Sequence, residues 1–210
     1  MKRARWMTLP LLAVALALPA PAEEKPAAKE TKPAPKAAAA PTEEAMMKAW
    51  AAYATPGEPH ARLAKLAGSW TTKTKSWMDP AKPPEETTGT CEFRSVLGGR
   101  YLEQRFEGTM MGQPFSGIGF TGYDNVKRKY DSFWIDSSGT GMMVMTGAPD
   151  PAGKKTVYTG SMLDPLTKKP VAMKAIETKV DDDNVQFDMW AAGPDGKMAK
   201  VMEMTYTRKK

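Results

Sequence analysis

The residues that most often carry chemistry in proteins are scarce in this chain. Among 210 residues there is one histidine, His60, and one cysteine, Cys91. His60 is the only side chain with an ordinary pKa near neutrality, so it is the candidate for a general base or a haem-iron ligand. We nevertheless predict a structural role for His60 in a short helix, with the chemical role as the alternative. These counts exclude a zinc site built on several Cys and His ligands.

No pattern in the sequence predicts a nucleophilic enzyme. A Ser-His-Asp triad would have to use His60, and there is no Gly-x-Ser-x-Gly motif. Cys91 alternates with Phe93, which indicates a small buried apolar residue, and one cysteine cannot form an intramolecular disulfide. We therefore predict no catalytic residue and expect a non-enzymatic protein. A hydrolase or isomerase that uses Asp or Tyr with His60 is the alternative.

Methionine is frequent and falls into two groups. The groups are Met142, Met143 and Met145, and Met198, Met202 and Met204. Thioethers suit cuprous ions, but Met142 and Met143 point to opposite faces of a strand and cannot hold one ion without a bulge. Methionine also fills irregular cavity walls. We predict no metal and no cofactor; copper and haem are the alternatives.

The first 41 residues have the composition of a leader and a tether. Residues 1–22 combine three basic residues, an apolar run, and small residues at Ala20 and Ala22, as a secretory signal peptide does. We expect cleavage after Ala22 and export to a periplasm or beyond. The apolar run is too short for a lasting membrane span. Residues 23–41 are almost wholly Ala, Pro, Lys and Glu, which predicts a disordered linker.

The charge of the chain does not indicate a nucleic-acid partner. The formal charge is +6, but three of the positive residues belong to the leader, which leaves +3. Acids and bases alternate along the remainder, whereas nucleic-acid binding needs a clustered basic stripe. We therefore expect a mixed-charge, solvated surface and no nucleic-acid binding.

Two short helical segments come next. Thr42 and the two acids after it predict the start of a helix over 42–55. Its apolar stripe consists of Met46, Met47, Trp50 and Tyr53. We expect this stripe to pack on the main domain; a partner-binding or membrane-surface helix is the alternative. A turn over 56–59 is followed by a helix from about His60 to Ala67, which Gly68 is expected to end.

From Ser69 onward the hydrophobic period changes from about 3.6 to 2, which predicts strands. The candidates are 69–78, 87–97, 100–107, 114–122, 129–136, 140–147, 155–163, 170–180, 184–191 and 197–208. The connections between these strands contain Gly, Pro, Asn and Asp and are too short to contain a helix. Residues 56–210 are therefore predicted to form an all-β domain, an antiparallel up-and-down barrel of about ten strands.

One face of the first strand favours a barrel with an interior pocket over a filled sandwich. Its small hydroxyl side chains cannot fill a tight core, but they can border a cavity. The predicted ligand-binding residues are Thr72, Thr74, Ser76, Tyr123, Tyr130 and Trp134.

The start of the first strand resembles the opening motif of the lipocalin and calycin barrels. In those barrels a short helix leads into Gly-x-Trp, which Gly68 and Trp70 match. The resemblance implies that the Trp packs across the barrel base under a basic residue of the last strand, for which Arg208 is the candidate. Together with His60, these residues are predicted to form the base of the barrel.

Residues 56–208 resemble more closely the bacterial domain-of-unknown-function family 1579. The matching motifs are Pro56-Gly57-x-x-His60-x-x-Leu63-x-x-Leu66-x-Gly68-x-Trp70, Leu97-Gly98-Gly99-Arg100-Tyr101, Gly119-Phe120-Thr121-Gly122-Tyr123-Asp124, Trp134-Ile135-Asp136-Ser137, Asp164-Pro165 and Tyr206-Thr207-Arg208. The resemblance implies a lipocalin-like barrel and no established activity.

The sequence therefore predicts an exported, non-enzymatic barrel that binds a small, mostly apolar molecule. A structural or envelope-interaction module that acts through the helix at 42–53 is one alternative, and a small hydrolase or isomerase is the other. We expect the ligand at the end of the barrel opposite the Trp70 base, towards Thr74 and Ser76.

Overall fold

The computed structural model describes residues 40–79 and 81–210, and this part of the chain contains two helices and ten strands. The helices are α1 (Glu43–Ala54) and α2 (Glu58–Ala64). The strands are β1 (Gly68–Ser76), β2 (Glu85–Val96), β3 (Tyr101–Met110), β4 (Gln113–Asp124), β5 (Lys129–Asp136), β6 (Met143–Pro149), β7 (Lys155–Leu163), β8 (Pro170–Lys179), β9 (Asn184–Ala192) and β10 (Met198–Arg208). The predicted leader, 1–22, lies outside the described residues, and so does the predicted linker, 23–41, except for Ala40 and Pro41.

The strands form a closed antiparallel barrel in which each strand pairs with its neighbours in sequence. The ring closes where β1 pairs with β10, with Trp70 opposite Arg208 and Ser76 opposite Met202. Closure removes the two free edges that an open meander would expose. The prediction of an up-and-down barrel of about ten strands is confirmed.

The alternation of side chains separates an inner from an outer face. On β9, Val185 and Met189 are buried on the inner face. On β5, Tyr130 and Trp134 point inward, whereas Phe133 points outward and stacks on Phe120 with 5.2 Å between ring centroids. This two-residue period sets which side chains border the interior.

Helix α2 lies across one end of the barrel, against β2, β3 and β4. Its Leu63 is 6% exposed and belongs to the barrel core. The helix ends at Ala64, three residues earlier than expected, and a turn leads into β1. Gly68 is therefore not the cap of a helix but the first residue of a strand, where its φ of +125° favours glycine.

Helix α1 does not pack on the barrel, so that expectation is wrong. The predicted cap is present, with the Ala45 N–H donating to Thr42 Oγ1 at 3.2 Å. The apolar stripe is nevertheless exposed, with Trp50 69% and Met47 67% accessible. The contacts made by its last turn are polar: Asn125 and Arg100 donate to backbone carbonyls at its C-terminal end. Helical periodicity groups apolar side chains on one face but does not supply a surface to cover it.

Within the described residues, no helix combines the length and the apolar content that crossing a bilayer requires.

Candidate functional site: an interior cavity with one carboxyl group

The barrel encloses a cavity of about 180 Å³. Its ring-bearing walls include Trp70, Phe93, Phe106, Phe115, Trp134 and Phe187. Its flexible apolar walls include Leu102, Met143, Met145, Met189, Met202 and Met204. An apolar cavity of about 150 Å³ in another protein admits benzene, so this volume suits one small ring or a short alkyl chain. The methionines add adaptability, because their thioether chains change rotamer easily.

The indole of Trp134 forms one wall because β4 carries glycines beneath it. Trp134 on β5 is opposite Gly119 on β4, and a Cβ on Gly119 would lie 3.0 Å from Cε3 of the indole. A Cβ on Gly117 would overlap the Cζ2 atom of the same ring. The two glycines therefore provide the flat seat on which the ring lies, and this seat sets the width of the cavity.

The only ionisable carboxyl group among the described residues of the cavity wall is Glu177. It follows Met173 and Ala175 on the inner face of β8, opposite Thr156 on β7 and Phe187 on β9. Its side chain makes no hydrogen bond or ion pair with a described residue. Burial raises the pKa of the Glu177 carboxyl from its ordinary value of 4.5 to about 7, because a desolvated charge is unfavourable.

Three tyrosines surround this carboxyl group. Tyr158 of β7 and Tyr206 of β10 share the cavity wall with Glu177, and Tyr130 of β5 lies beyond Tyr158. Burial raises the pKa of the Tyr130 hydroxyl to about 12 and the pKa of the other two hydroxyls well above their ordinary range. All three are therefore neutral at physiological pH. The Tyr206 hydroxyl accepts from Gln104 Nε2 at 3.1 Å.

A wider groove of about 700 Å³ opens at the α2 end of the barrel. Its rim carries charged residues of both signs, including Arg62, Lys65, Lys154, Lys179, Asp182 and Arg208. The groove and the cavity share five wall residues, Leu63, Leu66, Tyr158, Glu177 and Val185. Glu177 thus stands in the partition between the interior and a groove open to solvent.

The six predicted ligand-binding residues do not share one site, although Tyr123 and Tyr130 pack edge to face with 5.0 Å between ring centroids. Trp134 borders the cavity and Tyr130 borders the groove, but the other four border neither. Thr72 and Thr74 are buried, and their hydroxyl groups have no hydrogen-bond partner in the described structure. The Phe106 ring occupies the space beside Thr72. A Cβ placed on Gly89, which lies opposite Thr72, would be 2.8 Å from Phe106 Cζ and 3.0 Å from Thr72 Oγ1. Ser76 is half-buried at the far end of β1.

Glu177 was missed in the sequence, although a signal was present. The predicted strand 170–180 places Val171, Met173 and Ala175 on one face, and the next residue on that face is an acid. An acid that continues an apolar face is a buried-carboxyl signal. It also lies near α2 and not at the opposite end, where we had expected the functional groups.

Three of the four predicted base residues, Gly68, Trp70 and Arg208, meet around one indole, whereas His60 lies against Gly57 and Tyr123. Trp70 is fully buried, its Nε1 donates to the Leu66 carbonyl at 2.9 Å, and the Arg208 guanidinium lies 4.2 Å from its ring centroid. Arg208 also donates to the carbonyls of Ala67 and Lys65, both at 2.8 Å. A cation over an indole contributes about 0.5–2 kcal/mol, so this contact fastens the α2–β1 turn to the last strand.

His60 is 5% exposed and borders neither the cavity nor the groove. Its Nδ1 accepts a hydrogen bond from the Gly57 N–H at 3.0 Å, and its ring lies edge-on to Tyr123. The imidazole therefore caps the start of α2.

Replacing His60 by alanine should lower the free energy of unfolding by about 1–2 kcal/mol, because a cap and a buried ring are lost. Urea unfolding of His60→Ala and His60→Asn measures this, since asparagine keeps a short acceptor and should lose less. Equal stability of all three proteins would contradict a structural role for His60.

Cys91 and the methionines offer little reactive chemistry. Cys91 is 2% exposed, and burial raises the pKa of its thiol to about 12, so the thiolate is not formed at neutral pH. Met142 is exposed whereas Met143 borders the cavity, so the two face opposite sides of the sheet. The residues described here contain no cluster of three His, Cys, Asp or Glu side chains with metal-ligand geometry.

Comparisons with known proteins agree with this architecture. The model of the family described as Protein of unknown function (DUF1579) matches residues 55–208. The structure of Rv2717c from M. tuberculosis is 20% identical with a TM-score of 0.56, over 74% of this chain and 100% of that one. The S-type phycobiliprotein lyase CPES from Guillardia theta is 13% identical with a TM-score of 0.53, over 73% and 94%. No curated protein matches the sequence.

At these identities the two structural likenesses show the fold alone, a β-barrel. The family match covers the second helix and all ten strands, from the turn before α2 to the arginine that covers Trp70. The chain therefore belongs to the DUF1579 family.

Proposed function

We propose that this protein is an exported, non-enzymatic barrel that binds a small, mostly apolar molecule in its interior. The observation that carries the proposal is the interior cavity of about 180 Å³ walled by aromatic rings and methionines. A few polar groups converge on this apolar space, the usual composition of a small-molecule site. A ligand there would bury almost all of its surface, and about 25 cal/mol per Å² of apolar area drives such binding.

The placement of His60 supports binding over the hydrolase or isomerase alternative. That alternative uses His60 as a base, but its Nδ1 is engaged by the Gly57 N–H and its ring borders neither the cavity nor the groove. The three tyrosine hydroxyls are held in the neutral form by burial. The cavity wall thus lacks the histidine that the alternative uses as its base.

Export is the second part of the proposal and rests on residues 1–22. Three basic residues, an apolar run and the small residues before position 23 support cleavage by a signal peptidase. N-terminal sequencing of protein from the producing cell should read Glu23 as the first residue. Recovery of the intact Met1 terminus from the cytoplasm would contradict export.

The binding proposal is tested by native mass spectrometry of protein purified from its own host. We expect a mass above that of the mature chain, from a retained small molecule, which organic extraction then releases. If the protein carries no added mass and binds no compound from a library of small apolar molecules, the proposal is wrong.

Gly117→Ala provides the matched variant for this experiment. Its methyl group would overlap the Trp134 indole and push the ring into the cavity, so we expect at least a tenfold loss of ligand affinity. Gly141→Ala is the control, since a Cβ there meets no atom within 4 Å. Comparable affinity of both variants would show that the ligand does not occupy the space beside Trp134.

A further inference from the structure

Glu177 is an unpaired acid in a space that is otherwise uncharged. Every other described residue of the cavity wall is neutral, and Glu177 makes no hydrogen bond or ion pair with the rest of the described chain. Burying a carboxyl group costs free energy unless a partner compensates it. The Glu177 carboxyl group can therefore obtain its partner from a bound ligand.

Five basic side chains border the groove beside Glu177, and none pairs with it: Lys65 and Lys154 make no ion pair with a described acid, and the other three are engaged elsewhere. Arg62 of α2 pairs with Glu58 at 2.7 Å, and Lys179, two residues along β8, pairs with Asp182 at 2.5 Å. Arg208 of β10 spans Trp70 and two backbone carbonyls. None of these cations is paired with Glu177, so the carboxyl group has no counter-charge within the barrel.

The remaining groups that face Glu177 suit a cation rather than an anion. Tyr158 of β7 and Tyr206 of β10 border the same cavity as neutral phenols, and the Tyr206 oxygen accepts a hydrogen bond from Gln104. Tyr130 of β5 lies beyond Tyr158, and its neutral hydroxyl donates to the Pro59 carbonyl at 3.5 Å. The strand neighbours, Thr156 and Phe187, carry no charge. Aromatic faces attract ammonium groups by about 0.5–2 kcal/mol each, and phenolic oxygens accept hydrogen bonds from them.

We propose that the ligand of this barrel is a small amine with an apolar body, whose ammonium group pairs with Glu177. This inference rests on the proposed function, because it names the class of molecule that the cavity binds. The apolar body lies among the rings and methionines, and the ammonium group lies at the partition next to the groove. Glu177 is half-buried between the cavity and the groove, so its carboxyl group is already partly desolvated before the amine binds.

The proposal predicts a distinctive pH dependence. Below about pH 7 the Glu177 carboxyl of the free protein is protonated, so binding an ammonium ion must release that proton. Affinity should therefore rise about tenfold per pH unit between pH 5 and 7 and level off above this range. The three tyrosines stay neutral over this range and add no slope.

The test compares three compounds with the same phenyl ring: 2-phenylethylamine, 2-phenylethanol and phenylacetate. Isothermal titration of the mature protein, first stripped of any retained molecule, measures each affinity at pH 5, 6, 7 and 8. At pH 8 we expect the amine to bind at least tenfold more tightly than the alcohol, and the acid to bind most weakly. The wild-type pH profile needs no variant and remains informative if a variant folds poorly.

Glu177→Gln separates the carboxyl charge from the shape of the cavity. We expect it to lose at least tenfold in affinity for the amine and to remove the pH dependence, with the alcohol unaffected. Glu203→Gln is the matched control, because Glu203 of β10 lies on the outer face and pairs with Lys200. The control should bind all three compounds as the wild type does.

The outcomes distinguish this inference from the proposed function. If the amine and the alcohol bind equally, if phenylacetate binds best, or if Glu177→Gln leaves amine binding unchanged, the amine is the wrong class and the cavity remains a binding site. If none of the three compounds binds, the inference is also wrong. The retained mass and the Gly117→Ala comparison then decide separately whether the cavity binds a ligand of another class.

Discussion

Replacing Trp70 by alanine is expected to lower the free energy of unfolding by about 3–5 kcal/mol, which is a large part of the stability of an ordinary domain. The indole is fully buried and lies between the α2 turn and the last strand. The variant loses apolar burial, the hydrogen bond to Leu66 and the Arg208 contact at 4.2 Å, and it leaves a cavity. Arg208 would also lose the ring that it covers.

Two further variants assign this loss to the base of the barrel. Trp70→Phe keeps an aromatic ring but cannot donate to the Leu66 carbonyl, so an intermediate loss is expected. Trp50→Ala changes the same residue type on α1, where the indole is 69% exposed, and should cost less than about 0.5 kcal/mol. Urea unfolding followed by circular dichroism measures all three. Equal stabilities of Trp70→Ala and Trp50→Ala would contradict the structural role of Trp70.

The second large effect is a loss of stability as the pH rises through neutrality, and it depends on Glu177. The carboxyl pKa is about 7 in the folded barrel against an ordinary value of 4.5, so the folded state keeps a proton that the unfolded chain has lost. This contribution is fully present below about pH 4.5 and is lost as the pH rises through 7. Such a shift corresponds to about 3 kcal/mol.

The measurement is the difference in unfolding free energy between wild type and Glu177→Gln from pH 4.5 to pH 8. We expect this difference to change by about 3 kcal/mol, with the variant gaining relative stability as the pH rises. Surface acids with lowered pKa values, such as Asp124 and Asp164, act in the opposite direction. Because both proteins share those acids, their effect cancels in the difference. A pH-independent difference would show that the carboxyl group is solvated in the folded barrel.

The ten strands could be predicted from the sequence because strand formation leaves a local record. Side chains alternate between faces, and each joint carries residues that adopt turn conformations. The strands at 129–136 and 155–163 have the predicted bounds, and the other eight lie within a few residues of the prediction. The same alternation put Met202, Met204, Tyr206 and Arg208 on one face.

The residues of the cavity wall could not be predicted from this alternation, because the wall depends on which side chains lie opposite each strand. The small hydroxyl side chain of Thr72 suggested open space, but Phe106 from β3 occupies the volume beside it. The wall at Trp134 exists because two glycines of β4 lie under the ring. Neither relation follows from the residues of a single strand.

The sequence by itself determined the ten-stranded antiparallel barrel, the inner and outer faces of its strands, and the pairing of Trp70 with Arg208. These features follow from near-neighbour geometry and from short connections. The tertiary structure alone decided that α1 stands exposed, that the cavity lies beside Trp134, and that Glu177 has no partner. These depend on closure of the ring at β1 and β10, which brings residues far apart in the chain around one space and limits the hydration of the Glu177 carboxyl group.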